Sequence, residues 1–137
     1  MRARRLMQLP GRLAAALALA ACGGEPEAAG EPIAVSLEIC PDACRRIEIG
    51  GLAAGASVID AMAAARASGD LEARWRGAGA SAFVEAIDGT AAPDEAGRWW
   101  IFAVNGADAC VGPGVYALKA GDAVAWRLKS EASGDCG

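Results

Sequence analysis

No histidine occurs in the 137 residues. The commonest metal ligand, and the side chain best placed to move protons near neutral pH, is therefore missing. No Gly-x-Ser-x-Gly elbow marks a nucleophile, and no glycine loop with its lysine could cradle a phosphate. The Cys-x-x-Cys spacing of a redox pair is absent. Carboxylates are plentiful, yet no two are set apart by spacing as an acid/base couple. Together these absences point away from an enzyme. Aromatic residues are few: one tyrosine and two phenylalanines, against which four tryptophans stand out. The opening apolar run, Leu13 to Ala21, falls well short of the roughly 20 residues that a lasting membrane span needs.

That short run has its own meaning. Arg2, Arg4, Arg5 and Arg12 precede it, and no acidic residue occurs before Glu25. A basic segment, a short apolar segment and small residues at the end form the pattern of a secretory signal. Leu19-Ala20-Ala21-Cys22 resembles the lipobox of bacterial lipoproteins. The resemblance implies cleavage after residue 21, acylation of Cys22 and an exported chain held at the bacterial membrane by lipid. The site implied is the outer membrane, the cell surface or the periplasmic face, and Gly23 is compatible with outer-membrane sorting.

Without residues 1–21, nine basic side chains remain against seventeen acidic ones, a net of −8. Such a balance opposes nucleic acid as a partner, since phosphate contacts need a basic face. Membrane attachment would then rest on acyl chains rather than on charge. Residues 22–32 read as the acylated cysteine and a tether. "GGEPEAAGEP" has no large apolar residue to bury and spans at most about 35 Å when extended. Residues 33–137 are the right length for one domain.

Four further cysteines fall in that domain: Cys40, Cys44, Cys110 and Cys136. An even number in an exported domain implies two disulfides, with three pairings open. We favour Cys40–Cys44, closing a hairpin tip, and Cys110–Cys136, tying the C-terminus to a loop. Zinc is disfavoured by the Cys-x3-Cys spacing, which has no second close pair.

"IAVSLEI" alternates, with Ile33, Val35, Leu37 and Ile39 on one face. "CPDAC" turns the chain, and "RRIEIGG" returns with Ile47 and Ile49 inward. The two form a hairpin suited to a cross-strand Glu–Arg pair. Ser57 with Asp60 three residues on resembles a capping box and predicts a helix over 58–68 with an apolar stripe at Val58, Met62 and Ala65, extended by Ile59. Gly69 suits its end. Strands follow at "LEARWR", "AFVEAI", "WWIFAV" and "DAVAWRLK", separated by the turn signals Asp88-Gly89 and Asn105-Gly106. The order predicts an α+β domain: one helix packed on a small, curved, mainly antiparallel sheet, of β-grasp type.

Four segments in this order, "ASVIDAMAAARASG", "AFVEAIDG", "GRWWIFAVNG" and "YALKAGDAVAWRL", resemble the transcobalamin C-terminal-like domain of exported bacterial proteins. The likeness covers residues 33–130. Its most specific pieces are the Trp-x-x-x-x-Asn-Gly strand end, Trp100 to Gly106, and the Leu-x-x-Gly-Asp turn, Leu118 to Asp122. The family implies a small β-rich domain with a helix. In animal cobalamin carriers such a domain closes over the corrinoid opposite a helical barrel, for which this chain has no room. The resemblance implies cobalamin as a candidate ligand, which the missing barrel counts against, and no cofactor is expected.

Trp99 and Trp100 are neighbours on one strand and must face opposite sides. One can fill the core, and the other is left for solvent, a loop or a ligand. Trp75, Trp99, Trp100 and Asn105 are the candidate ligand contacts, although alternation also suits Trp75 and Trp126 to the core. Asn105 is equally a turn residue. "ADACVGPGV", residues 107–115, reads as a binding loop or a passive connection held by Cys110. Two functions follow: non-catalytic binding of a small molecule, or an interaction module of the cell envelope. The first needs a concave pocket with tryptophan in its wall, and the second a flat apolar patch or an open sheet edge.

Overall fold

The computed structural model describes residues 30–131. Strands β1 (Ile33–Cys40) and β2 (Arg45–Leu52) form the hairpin, closed by the Cys40–Cys44 disulfide. Leu37 lies opposite Ile47 and Val35 opposite Ile49, so both strands bury the same face. The helix α1 (Val58–Ala67) follows. Its capping box forms as expected: Asp60 N–H donates to Ser57 Oγ at 3.1 Å, and Ser57 N–H donates to the Asp60 carboxylate at 2.8 Å. Two donors that the first turn would leave orphaned are thereby satisfied. Val58, Ala61, Met62 and Ala65 are buried, spaced as one helical stripe, and pack with Leu37, Ile39, Ile49 and Trp126 in a single core. Gly69 takes a positive φ of 83° and ends the helical path.

The later strands are β3 (Ala73–Arg76), β4 (Phe83–Ile87), β5 (Thr90–Ala91), β6 (Trp99–Val104), β7 (Ala107–Asp108) and β8 (Ala123–Lys129). Five of the eight form one sheet in the order β2-β1-β8-β6-β7. In it β8 runs parallel to β1 and antiparallel to β6. The last strand thus fills the centre of the sheet, next to the first. The remaining three form a separate antiparallel sheet, β3-β4-β5. The α+β class, the single helix among the described residues and the disulfide all match expectation. The division of strands between two sheets goes beyond it. β4 pairs with β3 on one edge and β5 on the other, which leaves it no free edge at those residues to extend the larger sheet.

Two charge pairings differ from what the hairpin register alone suggests. Glu38 stands opposite Arg46, yet it binds Arg127 of β8 at 3.2 Å, while Arg46 turns along its own strand to Glu48 at 2.6 Å. These pairs are solvent-exposed and contribute little to stability. Arg45 does more to join the parts. It donates to both oxygens of Asp88, at 2.8 and 3.0 Å, and to the carbonyl of Asp70 at 2.7 Å. The start of β2 is so linked to the β4–β5 turn and the segment after α1. The hydrogen bond from Arg45 holds the Asp88 carboxyl below its ordinary pKa, and Asp88 in return raises that of Arg45. Among the described residues no helix is long and apolar enough to cross a membrane.

Candidate functional site

The two sheets meet where β4 faces β6. There Trp100 Nε1 donates to the carbonyl of Thr90 at 2.9 Å, joining β6 to β5. Beside this contact lies an apolar cleft of about 170 Å³. One wall comes from Ala82, Phe83 and Val84, the other from Trp100, Ile101, Phe102 and Trp126, and the loop at Ala109–Pro113 covers it. The strand pleat explains the walls: Trp100 and Phe102 lie two apart on β6, and Trp126 is registered opposite Phe102 on β8. Their rings touch, with the Phe102 and Trp126 centroids 5.1 Å apart and tilted by 40°. Tyr116 approaches Phe102 from the loop side, edge to face at 6.0 Å.

The covering loop is tied down at several points. Pro113 carbonyl accepts from the Ile59 N–H at 3.0 Å, satisfying a donor in the first turn of α1. Leu118 N–H donates to the Ala56 carbonyl at 2.8 Å, next to a bridge between Ser57 and Ala117. At Gly114 the loop presses on the short 3-10 turn Gly79–Ser81, where a Cβ would stand 2.2 Å from the Gly79 carbonyl oxygen. Only glycine permits that approach. Cys110 is itself disulfide-bonded.

The cleft also gathers exposed apolar side chains. Trp99, Val111 and Val115 are the large hydrophobic residues left exposed among the described residues. Val111 lines the cleft, and Trp99 stands edge-on to Phe83, a wall residue, at 5.7 Å. Trp126 is 1% exposed and its Nε1 has no hydrogen-bond partner.

The four candidate contacts read from the sequence do not converge on one point. Trp100 is buried in the cleft wall, and Trp99 is exposed at its edge, the opposite-facing pair that strand geometry requires. Trp75 is half-buried and lies elsewhere, with the Arg66 guanidinium 3.9 Å from its ring centre. Asn105 sits in a left-handed turn with φ of 52° and binds the next turn along. Its Nδ2 donates to Asp122 at 2.9 Å, and its Oδ1 accepts from Ala123 N–H at 2.9 Å. Phe83, Phe102 and Trp126 carry no signal in the sequence that marks them as site residues. Val111 belongs to the candidate loop at 107–115, whose central part is the cover.

Other surfaces fit a ligand less well. A larger depression of about 530 Å³ borders α1 and the small sheet, lined in part by Arg66, Glu72 and Arg74. Arg66 is engaged there by the Trp75 ring and by the Ala73 carbonyl. Near the hairpin tip, Glu38, Cys40 and Cys44 place potential metal-binding atoms within 4.8 Å of one another. Both sulfurs are bonded to each other, so neither is available as a thiolate ligand. The lipid-attachment residue Cys22 and the pairing of Cys110 with Cys136 lie outside the described residues.

The fold occurs in other proteins. Haptocorrin in complex with Cbi matches over 72% of this chain with a TM-score of 0.60 and 17% sequence identity. This chain spans only about a quarter of haptocorrin, 25% of its length. A candidate metal-binding protein from Ruminococcus gnavus matches over 71% of this chain and 96% of its own length, with a TM-score of 0.55 and 13% identity. No curated protein matches the sequence. A family model does, over residues 55–130, more than half of the chain: it belongs to the family of the domain of unknown function DUF4430.

Proposed function

We propose that this protein is an exported bacterial lipoprotein, anchored through acylated Cys22, whose folded part binds a small molecule without transforming it. The observation that carries the reading is the aromatic cleft between the sheets, with two tryptophans in its wall and exposed apolar residues at its edge. Ligand sites are concave, mostly apolar and usually preformed. An interaction module would instead favour a flat apolar patch or a bare sheet edge. Here the outer strand β2 turns Arg45, Arg46 and Glu48 to solvent, charges that discourage edge pairing.

The volume limits the ligand. Drug-sized pockets run from about 300 to 1,000 Å³, so a cleft of about 170 Å³ takes one ring-sized group and no macrocycle. Cobalamin or cobinamide, suggested by the fold shared with haptocorrin, would lie across Trp99 and Val111 with only an appended group inserted. Calorimetric titration of the protein with both corrinoids tests this. Heat of defined stoichiometry that disappears in Val111→Glu, an exposed position, supports corrinoid recognition. No heat at high concentration removes corrinoids as ligands. Anchoring is tested separately: Cys22→Ala should leave the membrane fraction, and its retention there would refute the lipoprotein reading.

A further inference from the structure

Seven arginines lie among the described residues, and five of them are ion-paired: Arg45 with Asp88, Arg46 with Glu48, Arg76 with Glu85, Arg98 with Asp94 and Arg127 with Glu38. Arg66 and Arg74 are exposed and have no carboxylate partner among the described residues. Acids are not scarce, since the chain carries 17 of them against 13 basic side chains. Both unpaired arginines border the depression of about 530 Å³ beside α1 and the small sheet. That volume falls within the range of about 300 to 1,000 Å³ usual for small-molecule sites. The depression shares no lining residue with the aromatic cleft, and its charge makes it a poor seat for an apolar ligand. The strand register shapes it. Arg74 stands opposite Ala86, and Ala86 opposite Ala91, so these three side chains rise from one face of the small sheet. Two of them are methyl groups, and with Gly89 they leave a low floor beside the arginine. Arg66 reaches the rim from the last turn of α1. Its guanidinium is set 3.9 Å from the Trp75 ring centre, and Nη1 donates to the Ala73 carbonyl at 3.2 Å. Most of its N–H donors remain open to a ligand. Glu72 adds the acidic group of the lining.

We propose that this depression binds a small zwitterion, with its carboxylate between Arg66 and Arg74 and its ammonium group turned to Glu72: the chemistry of an amino acid or a short peptide. Guanidinium groups bind carboxylates through paired, charge-assisted hydrogen bonds. Fixing Arg66 on the Trp75 ring beforehand lowers the ordering cost of that contact. A dianion would set its second charge against Glu72, and a neutral molecule would leave both arginines unanswered. The floor of Ala86, Gly89 and Ala91 suits small side chains. This site goes beyond the aromatic cleft and does not depend on it.

Tri-alanine with free ends, its C-terminal amide and its N-acetyl form are the probes. Each is titrated into the full-length protein at low salt, where exposed charges are least screened. The backbone amide resonances of Arg74 and Gly89 and the indole resonance of Trp75 are followed by NMR. The free peptide should bind and shift all three signals. Capping either end should weaken binding about threefold or more, the scale of one well-placed exposed ion pair. Arg74→Gln should weaken the free peptide towards the level of the amide and leave the amide's own affinity unchanged. Glu72→Gln should erase the difference between the free and N-acetyl forms. Arg46→Gln removes the same charge from a paired arginine on β2 and should change nothing. Equal affinity of the three peptides, no binding of the free peptide, or a loss in Arg46→Gln as large as that in Arg74→Gln overturns the proposal. None of these outcomes bears on the aromatic cleft, whose own test uses Val111→Glu.

Discussion

Replacing Asn105 tests the junction on which the central strands depend. Its amide bridges two turns: Nδ2 donates to Asp122, which also accepts from Lys119 N–H at 2.8 Å, and Oδ1 accepts from Ala123 N–H. Asp122 is 8% exposed. Asn105→Ala removes one hydrogen bond to a charged group, about 1.5–3 kcal/mol, and one neutral bond of about 1 kcal/mol. It also forces alanine into a left-handed conformation, at roughly 1 kcal/mol. The sum is about 3–5 kcal/mol, a large part of the 5–15 kcal/mol that typically stabilises a domain. For a domain near 100 residues this should lower Tm by roughly 12 °C or more. Asn105→Gly isolates the side-chain terms, because glycine adopts the same φ freely. Thermal unfolding followed by circular dichroism measures both variants. A fall of less than about 4 °C in Asn105→Ala, the shift for 1 kcal/mol, would refute the junction as a stabilising element. If Asn105→Gly folded yet lost ligand binding, while mutations in the cleft did not affect it, the binding site would have to be moved to the turns.

Gly114→Ala should displace the covering loop from the Gly79 turn; faster amide exchange across residues 109–116 would report it, and unchanged exchange would argue against the close approach. Ser57→Ala removes the helix cap and should cost about 1 kcal/mol in denaturant unfolding. The Arg45–Asp88 pair predicts a pH response. The folded-state pKa of Asp88 is depressed, so its contribution is present above the ordinary value of 3.8 and is lost as pH falls through the lower folded value. Acid titration of Asp88→Asn should therefore show a shallower decline in stability below that pH than the parent protein does.

What the sequence reveals here is local chemistry. The Ser57–Asp60 cap, the stripe at Val58, Met62 and Ala65, and the alternation of the first hairpin each follow from residues a few positions apart. The cleft does not, because its walls come from β4, β6 and β8 and its cover from a fourth segment. Trp126 reads in sequence as an ordinary core residue of an alternating strand. Its missing acceptor becomes visible only with its neighbours in place. Glu38 likewise cannot be assigned to Arg127 rather than Arg46 without knowing that β8 lies beside β1. The two most specific sequence signatures, the Asn-Gly strand end and the Gly-Asp turn, prove to be one feature. Asn105 and Asp122 bind each other, which accounts for both as architecture.

The parallel pairing of β1 with β8 also sets an order of events. Ser36 to Cys40 find their partners at Ala123 to Arg127. A chain emerging N-terminus first can form its hairpin and helix early, through short loops that close cheaply. It cannot complete the larger sheet until nearly all of the domain is available. Until then both β1 and β6 hold an open edge that β8 alone will occupy. High contact order of this kind slows folding and prolongs exposure of unpaired strands. The protein should therefore be most vulnerable to aggregation and proteolysis while its last strand is missing, and a chain truncated before Ala123 should fail to close at all.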